Sequence, residues 1–276
     1  MAASGSETPR LARTTIGAAI RRRGGTLFAC AVVATAMMAT TALAAPTSLL
    51  VYKLGVSASG GSSIDSLGSG TDAYTGWANT GGFNQGNATA ESLSNDTLDY
   101  KNSWVDSSAN WATVTSVTVG MYQNGAEQAY MTFSAGSDKL DFYSAANLTG
   151  TSYTDLSSGT FGGNFFDEPG DAALKRRWFV SGNYGGCDSD AGWFVVLDKG
   201  NRGFCKWESS NKSTAGRAFL FATANSKQKW SSANVGKADV FAITVTYDPP
   251  ASVPEPAGAA ILGSALLGLA LVRRRG

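Results

Sequence analysis

The chain has 276 residues, with 22 Lys/Arg against 21 Asp/Glu, and no histidine. The lack of histidine excludes Ser-His and Cys-His nucleophilic arrangements and most zinc sites, and it removes the commonest general base. With 43% hydrophobic residues, the length between the two terminal segments is enough for one sizeable domain with its own core.

Residues 1–44 read as an export signal. Arg10, Arg13 and Arg21-Arg22-Arg23 form a basic start, and residues 26–43 form an apolar stretch rich in Ala, Val and Met. Ala42 and Ala44 put small residues three and one places before a cut, so signal peptidase is expected to cleave after Ala44. Cys30 goes with the signal, because its hydrophobic stretch follows it instead of preceding it, unlike a lipoprotein box.

The exported body, residues 45–250, shows almost no helical periodicity. Short β-rich runs separated by Gly, Ser, Asn and Asp recur, predicting strands near 49–56, 111–122, 129–134, 139–143 and 178–181. Further strands are expected near 193–198, 204–208, 218–224 and 238–247. Val117, Val119 and Met121 alternate with Thr118 and Gly120, which puts one strand face in a core. Such a pattern predicts an all-β fold, an antiparallel sandwich of jelly-roll type. Residues 199–203 (Lys-Gly-Asn-Arg-Gly) should turn the chain between paired strands, and residues 55–95 should be long loops.

Charge is unevenly spread. Residues 46–250 hold 14 basic and 19 acidic residues. Residues 46–171 hold 3 basic and 13 acidic, and residues 172–250 hold 11 basic and 6 acidic. Either the two ends of a globular surface happen to differ, or the later half faces an anionic partner. A net negative exported body argues against nucleic acid. Cys187 and Cys205, the two cysteines of the body, are expected to form a disulfide, contributing about 3 kcal/mol on the chain-entropy model.

Asp188, Asp190 and Asp198 could supply carboxylates to calcium, with a plain surface turn as the alternative. No other cofactor is implied. All seven tryptophans lie in the body. Trp111 and Trp193 sit in strand patterns and are assigned to the core. Trp207 and Trp230, beside Lys206, Lys227 and Lys229, are the candidates for an anionic-glycan face, by ring stacking on sugars and ammonium contacts to acidic groups. Asp167-Glu168 precedes Pro169-Gly170 and reads as a solvated turn, not as a glycosidase carboxylate pair. The body is therefore expected to be non-catalytic. A secreted polysaccharide-acting enzyme, a glycosidase or lyase on a β-sandwich, is the alternative.

Residues 251–276 differ from the body. Val253-Pro254-Glu255-Pro256 is followed by an apolar run, 257–272, and then by Arg273, Arg274 and Arg275. Sixteen helical residues span about 24 Å, a short transmembrane helix whose arginine end is expected in the cytoplasm. Motif, helix and basic stop together resemble the PEP-CTERM sorting signal of bacterial exported proteins. The resemblance implies that an exosortase, a membrane transpeptidase, recognises Pro254-Glu255-Pro256 and removes the tail. It also implies an association with exopolysaccharide and the extracellular matrix. The expectation is an exported protein, anchored in the membrane by its C-terminal helix before processing and then placed at the cell surface or in the matrix.

Overall fold

The computed structural model describes residues 45–68, 72–159 and 161–249. The export signal with Ala42 and Ala44, the sorting motif, the apolar run 257–272 and the arginine stop lie outside the described residues. Among those described, no helix is long and apolar enough to cross a membrane.

Among the described residues, twelve strands run in chain order as β1 (Thr47–Gly55), β2 (Tyr100–Lys101), β3 (Val114–Gln123), β4 (Ala126–Ser134), β5 (Leu148–Thr151) and β6 (Phe165–Asp167). They continue as β7 (Arg176–Asn183), β8 (Ala191–Leu197), β9 (Ala218–Ala222), β10 (Gln228–Lys229), β11 (Val235–Ala238) and β12 (Val240–Tyr247). Two antiparallel sheets result. The first has the order β2-β1-β12-β3-β4-β5, and the second β11-β9-β8-β7-β6, with β10 on β8. In the second sheet β6 to β9 are consecutive neighbours, whereas in the first the last strand, β12, lies between β1 and β3. Helices are few and short.

The sheets enclose one large core in a sandwich-like arrangement. Val117, Val119, Met121, Phe241, Ile243 and Val245 of the first sheet meet Trp178, Val180, Phe194, Val196, Phe219 and Phe221 of the second. The alternation read in β3 thus points inward as expected.

Three expected strands came out differently. Residues 139–143 form a turn whose Phe142 and Tyr143 plug the core edge. Residues 204–208 enter a short helix, Lys206–Ser209, so residues 199–203 do not join two paired strands. The run 238–247 is divided by Asp239, with β11 in the second sheet and β12 in the first. Asp239 marks the crossing: its amide donates to the Tyr122 carbonyl, and its carboxylate accepts from the Asn124 amide. The described residues between 55 and 95 are mostly irregular, as expected, with short helices at Ala73–Ala78 and Ala88–Glu91.

Buried arginines tie these loops to the second sheet. Arg217, fully buried before β9, donates to both oxygens of Asp99 at 2.8 and 2.9 Å, to Asp65 at 2.8 Å and to Ser63 at 3.0 Å. Asp99 also accepts the amides of Gly55 and Ile64. Arg177 of β7 and Lys175 both donate to Asp72, and Arg177 also holds the Pro169 carbonyl. Burial pushes the Asp72 carboxyl up, but Lys175, the Thr75 amide and Arg177 outweigh it and hold it at about 2.

Removing one member of such a buried cluster leaves unmatched charge. Arg217→Met is expected to lower unfolding free energy by about 3–5 kcal/mol, measured by urea denaturation near neutral pH. A loss below about 1 kcal/mol would show that water already reaches the cluster.

Candidate functional site

The second sheet is apolar on both faces. Phe194 and Val196 of β8 face the central core, while Val195 and Leu197 face away from it. Phe219 and Phe221 of β9 likewise oppose Ala218 and Leu220. A second cluster covers that outer face, joining Phe179, Val195, Leu197 and Leu220 to Cys205, Trp207 and Trp230. The covering layer comes from the loop after β8, the Lys206–Ser209 helix and the segment that carries Trp230.

The expected disulfide between Cys187 and Cys205 is present and pins this layer to the β7–β8 loop. Arg176 lies beneath it, almost completely buried. Its Nε donates to Glu208 at 2.9 Å, one terminal nitrogen to Asp190 at 3.2 Å, and the other approaches Cys205 Sγ at 3.5 Å. The guanidinium sits 4.7 Å from the Trp207 ring and 5.2 Å from that of Tyr184. Glu208 also accepts from Asn201 and from the Cys205 amide, both at 2.7 Å. Burial raises the Glu208 carboxyl, but Arg176 and these donors prevail and lower it.

Two clefts open on this layer, with Cys187 lining both. The larger, about 400 Å³, is lined by Asp188, Lys206, Ser210, Asn211, Ser231 and Ser232 together with Trp207 and Trp230. The smaller, about 160 Å³, has Leu174, Tyr184, Gly185, Gly186 and Phe204 among its walls, with Arg176 and Asp190 also reaching it. Hydroxyl, amide and ammonium groups around the larger cleft suit a polar, hydroxyl-rich ligand.

The glycan-face residues are only partly brought together. Lys206, Trp207 and Trp230 share the larger cleft. The two tryptophans are not open stacking platforms, being 4% and 1% exposed. Their rings stack on each other at 5.6 Å, because the outer face of the second sheet needs an apolar cover. Neither indole N–H has a partner among the described residues. Lys227 lies over Trp193, 5.8 Å from the ring, in a separate depression with Asp155. Lys229 is exposed on β10. Trp111 and Trp193 belong to the central core as expected, Trp193 from β8 but Trp111 from the short helix Ser108–Trp111 instead of from a strand.

The three aspartates considered for calcium do not converge. Asp190 is held by Arg176 and the Gly185 and Gly186 amides. Asp198 is buried beside Arg217 and accepts from the Ala73 and Lys199 amides. Asp188 faces the larger cleft. No group of three metal-ligating side chains occurs among the described residues. Burial, only partly offset by Arg217, pushes Asp198 up to about 6.

Sequence reasoning missed Phe204 and Arg176. Phe204 stands 74% exposed at the rim of the smaller cleft. It was read as the start of a strand at 204–208, and because that segment instead enters the Lys206–Ser209 helix, its ring is left outside. Arg176 carried no such mark. Asp167 ends β6, paired with Phe179, and its carboxylate accepts from the Gly170 amide, but its neighbour Glu168 is buried with neither carboxylate oxygen partnered. Glu168 is therefore not the solvated charge its sequence context implied. It lines none of the three clefts. No family model, curated protein or solved structure matches this chain.

Burial holds Glu168 well above the usual carboxylate range. Below its unfolded value the acid is neutral in both states. As pH rises through that value only the unfolded chain ionises freely, so stability falls until the folded value is passed. Unfolding followed from about pH 4 to about pH 8 should show Glu168→Gln gaining on the parent chain as pH rises. A constant difference across that range would mean that Glu168 is hydrated in the fold.

Proposed function

We propose that this chain is a non-catalytic exported protein of the cell surface or extracellular matrix. It is sorted by an exosortase-type transpeptidase through its C-terminal tail, and its body engages exopolysaccharide at the outer layer of the second sheet. One observation carries the reading: Val253-Pro254-Glu255-Pro256, the apolar run 257–272 and Arg273-Arg274-Arg275 occur in that order. The apolar run serves as the transmembrane helix before processing. Signal peptidase acts at the other end, after Ala44.

The fold supports presentation on a single tether. Thr47 at the start of β1 pairs with Tyr247 at the end of β12, so the described body begins and ends at one place. The chemistry of the acids supports a binding role. Asp72, Asp99, Asp190 and Glu208 are each engaged by buried arginine, which leaves them poorly placed to act as an acid/base pair across a groove. A secreted polysaccharide-acting enzyme remains the second reading. Burial pushes the Glu168 carboxyl upward, the direction a general acid needs, but it lines neither cleft of the outer layer.

Expression of the full chain in a bacterium that carries an exosortase tests the sorting step. Intact mass should show loss of the residues after the Pro-Glu-Pro motif. Replacing Pro254, Glu255 and Pro256 by alanine should retain the tail and keep the protein in the membrane fraction. Retention of the whole tail by the parent chain as well as by the alanine form would refute sorting by this signal.

A further inference from the structure

The uneven charge of the two halves persists at the surface, because the interior takes up both signs from each: Asp72, Asp99 and Glu168 with lysines of the first, and Arg176, Arg177 and Arg217 with acids of the second. In the first half the three basic residues turn inward: Lys53 donates to the Ser92 and Asn95 carbonyls, and Lys101 and Lys139 converge on Asp106. In the second half Asp190, Asp198 and Glu208 are buried against Arg176 and Arg217. What remains outside on the second half is cationic in balance, with Asp188 and Asp248 as exposed acids. Lys199, Arg202, Lys206, Lys227, Lys229 and Lys237 are all exposed, and none takes part in an ion pair among the described residues.

Two of these cations flank Phe204. Phe204 sits on a pinned loop. Asn201 accepts from the Gly203 amide at 2.8 Å and donates to Glu208, while Cys205 is fixed by its disulfide. The ring is therefore presented on a rigid support, beside one cleft and next to Lys206 at the rim of the other.

We infer that the pinned loop Arg202–Lys206 is the contact site for an anionic polysaccharide, with Phe204 stacking on a sugar ring and Arg202 and Lys206 binding its acidic groups. Trp207 and Trp230 support this site from below. The inference rests on the glycan-engaging reading above and moves the contact from the buried tryptophans to Phe204. Among charged polymers at a cell exterior, an acidic glycan offers both chemistries at once: carboxylates for the cations and an apolar C–H face for the ring.

The test uses the full chain purified in detergent, with Phe204→Ala and the double variant Arg202→Glu/Lys206→Glu. Retention on immobilised polygalacturonate, dextran and phosphatidylglycerol beads is compared at about 50 mM and about 500 mM salt. All changed positions are exposed, and tryptophan fluorescence checks the fold. Polygalacturonate should be retained at low salt, with affinity reduced about tenfold by high salt and by each variant, and dextran should not be retained. Equal retention of dextran, or insensitivity to the double variant, overturns the inference and leaves the glycan reading standing. Retention on the lipid beads alone assigns the patch to a membrane surface and overturns the inference. No retention on any support by a folded chain overturns both readings of the body.

Discussion

The fold is organised around a second sheet that cannot be left wet on either side. Fully burying one large apolar side chain contributes about 1.5–3 kcal/mol, so exposing Phe179, Val195, Leu197 and Leu220 would be heavily unfavourable. The first sheet covers one face. The chain must then send the segment after β8 back across the other, and Arg176 makes that return specific. Its single guanidinium satisfies Asp190 from the β7–β8 loop and Glu208 from the returning helix, under the Trp207 ring. A disulfide alone would tether the layer at one point, whereas the arginine also sets its position against the sheet.

The buried ion clusters share a logic. Two charges taken out of water are only weakly stabilising as a pair, yet removing either partner is severe. Arg217 and Arg177 therefore act chiefly as fixings, tying the irregular stretch 57–106 to the second sheet through Asp65, Asp99 and Asp72. That stretch contains too little regular structure to hold itself in place. Its serines, asparagines and aspartates cap short turns, as Asp72 does for the Thr75 amide and Asn87 for Thr89.

Much of the sheet architecture was legible in the sequence because alternation in β3 and the density of β-branched and aromatic residues in β8, β9 and β12 depend on local pattern alone. The division of β11 from β12 was not, since Asp239 interrupts an apolar run by one residue and the pattern continues across it. Nor was the turn at 139–143, where Phe142 and Tyr143 enter the core from a loop and so mimic a strand. The candidate site was half legible. Cysteine count and export context gave the disulfide, and lysine neighbours pointed to Lys206. Tryptophan burial was not readable, because a ring that covers a sheet's outer face looks the same in sequence as one offered to solvent. Arg176 escaped because the partners that make it structural lie 14 and 32 residues away.

The last strand of the body is not at an edge. β12 is hydrogen-bonded on both sides, to β1 from Thr47↔Tyr247 to Gly55↔Val240 and to β3 from Val240↔Tyr122 onward. Tension applied along the chain beyond Tyr247, and resisted by a grip on the outer layer of the opposite sheet, would run parallel to β12. Both of its ladders would be loaded in shear together, and neither could open one bond at a time as an edge strand peels. A body built this way is mechanically strongest along the direction in which a C-terminal tether would pull.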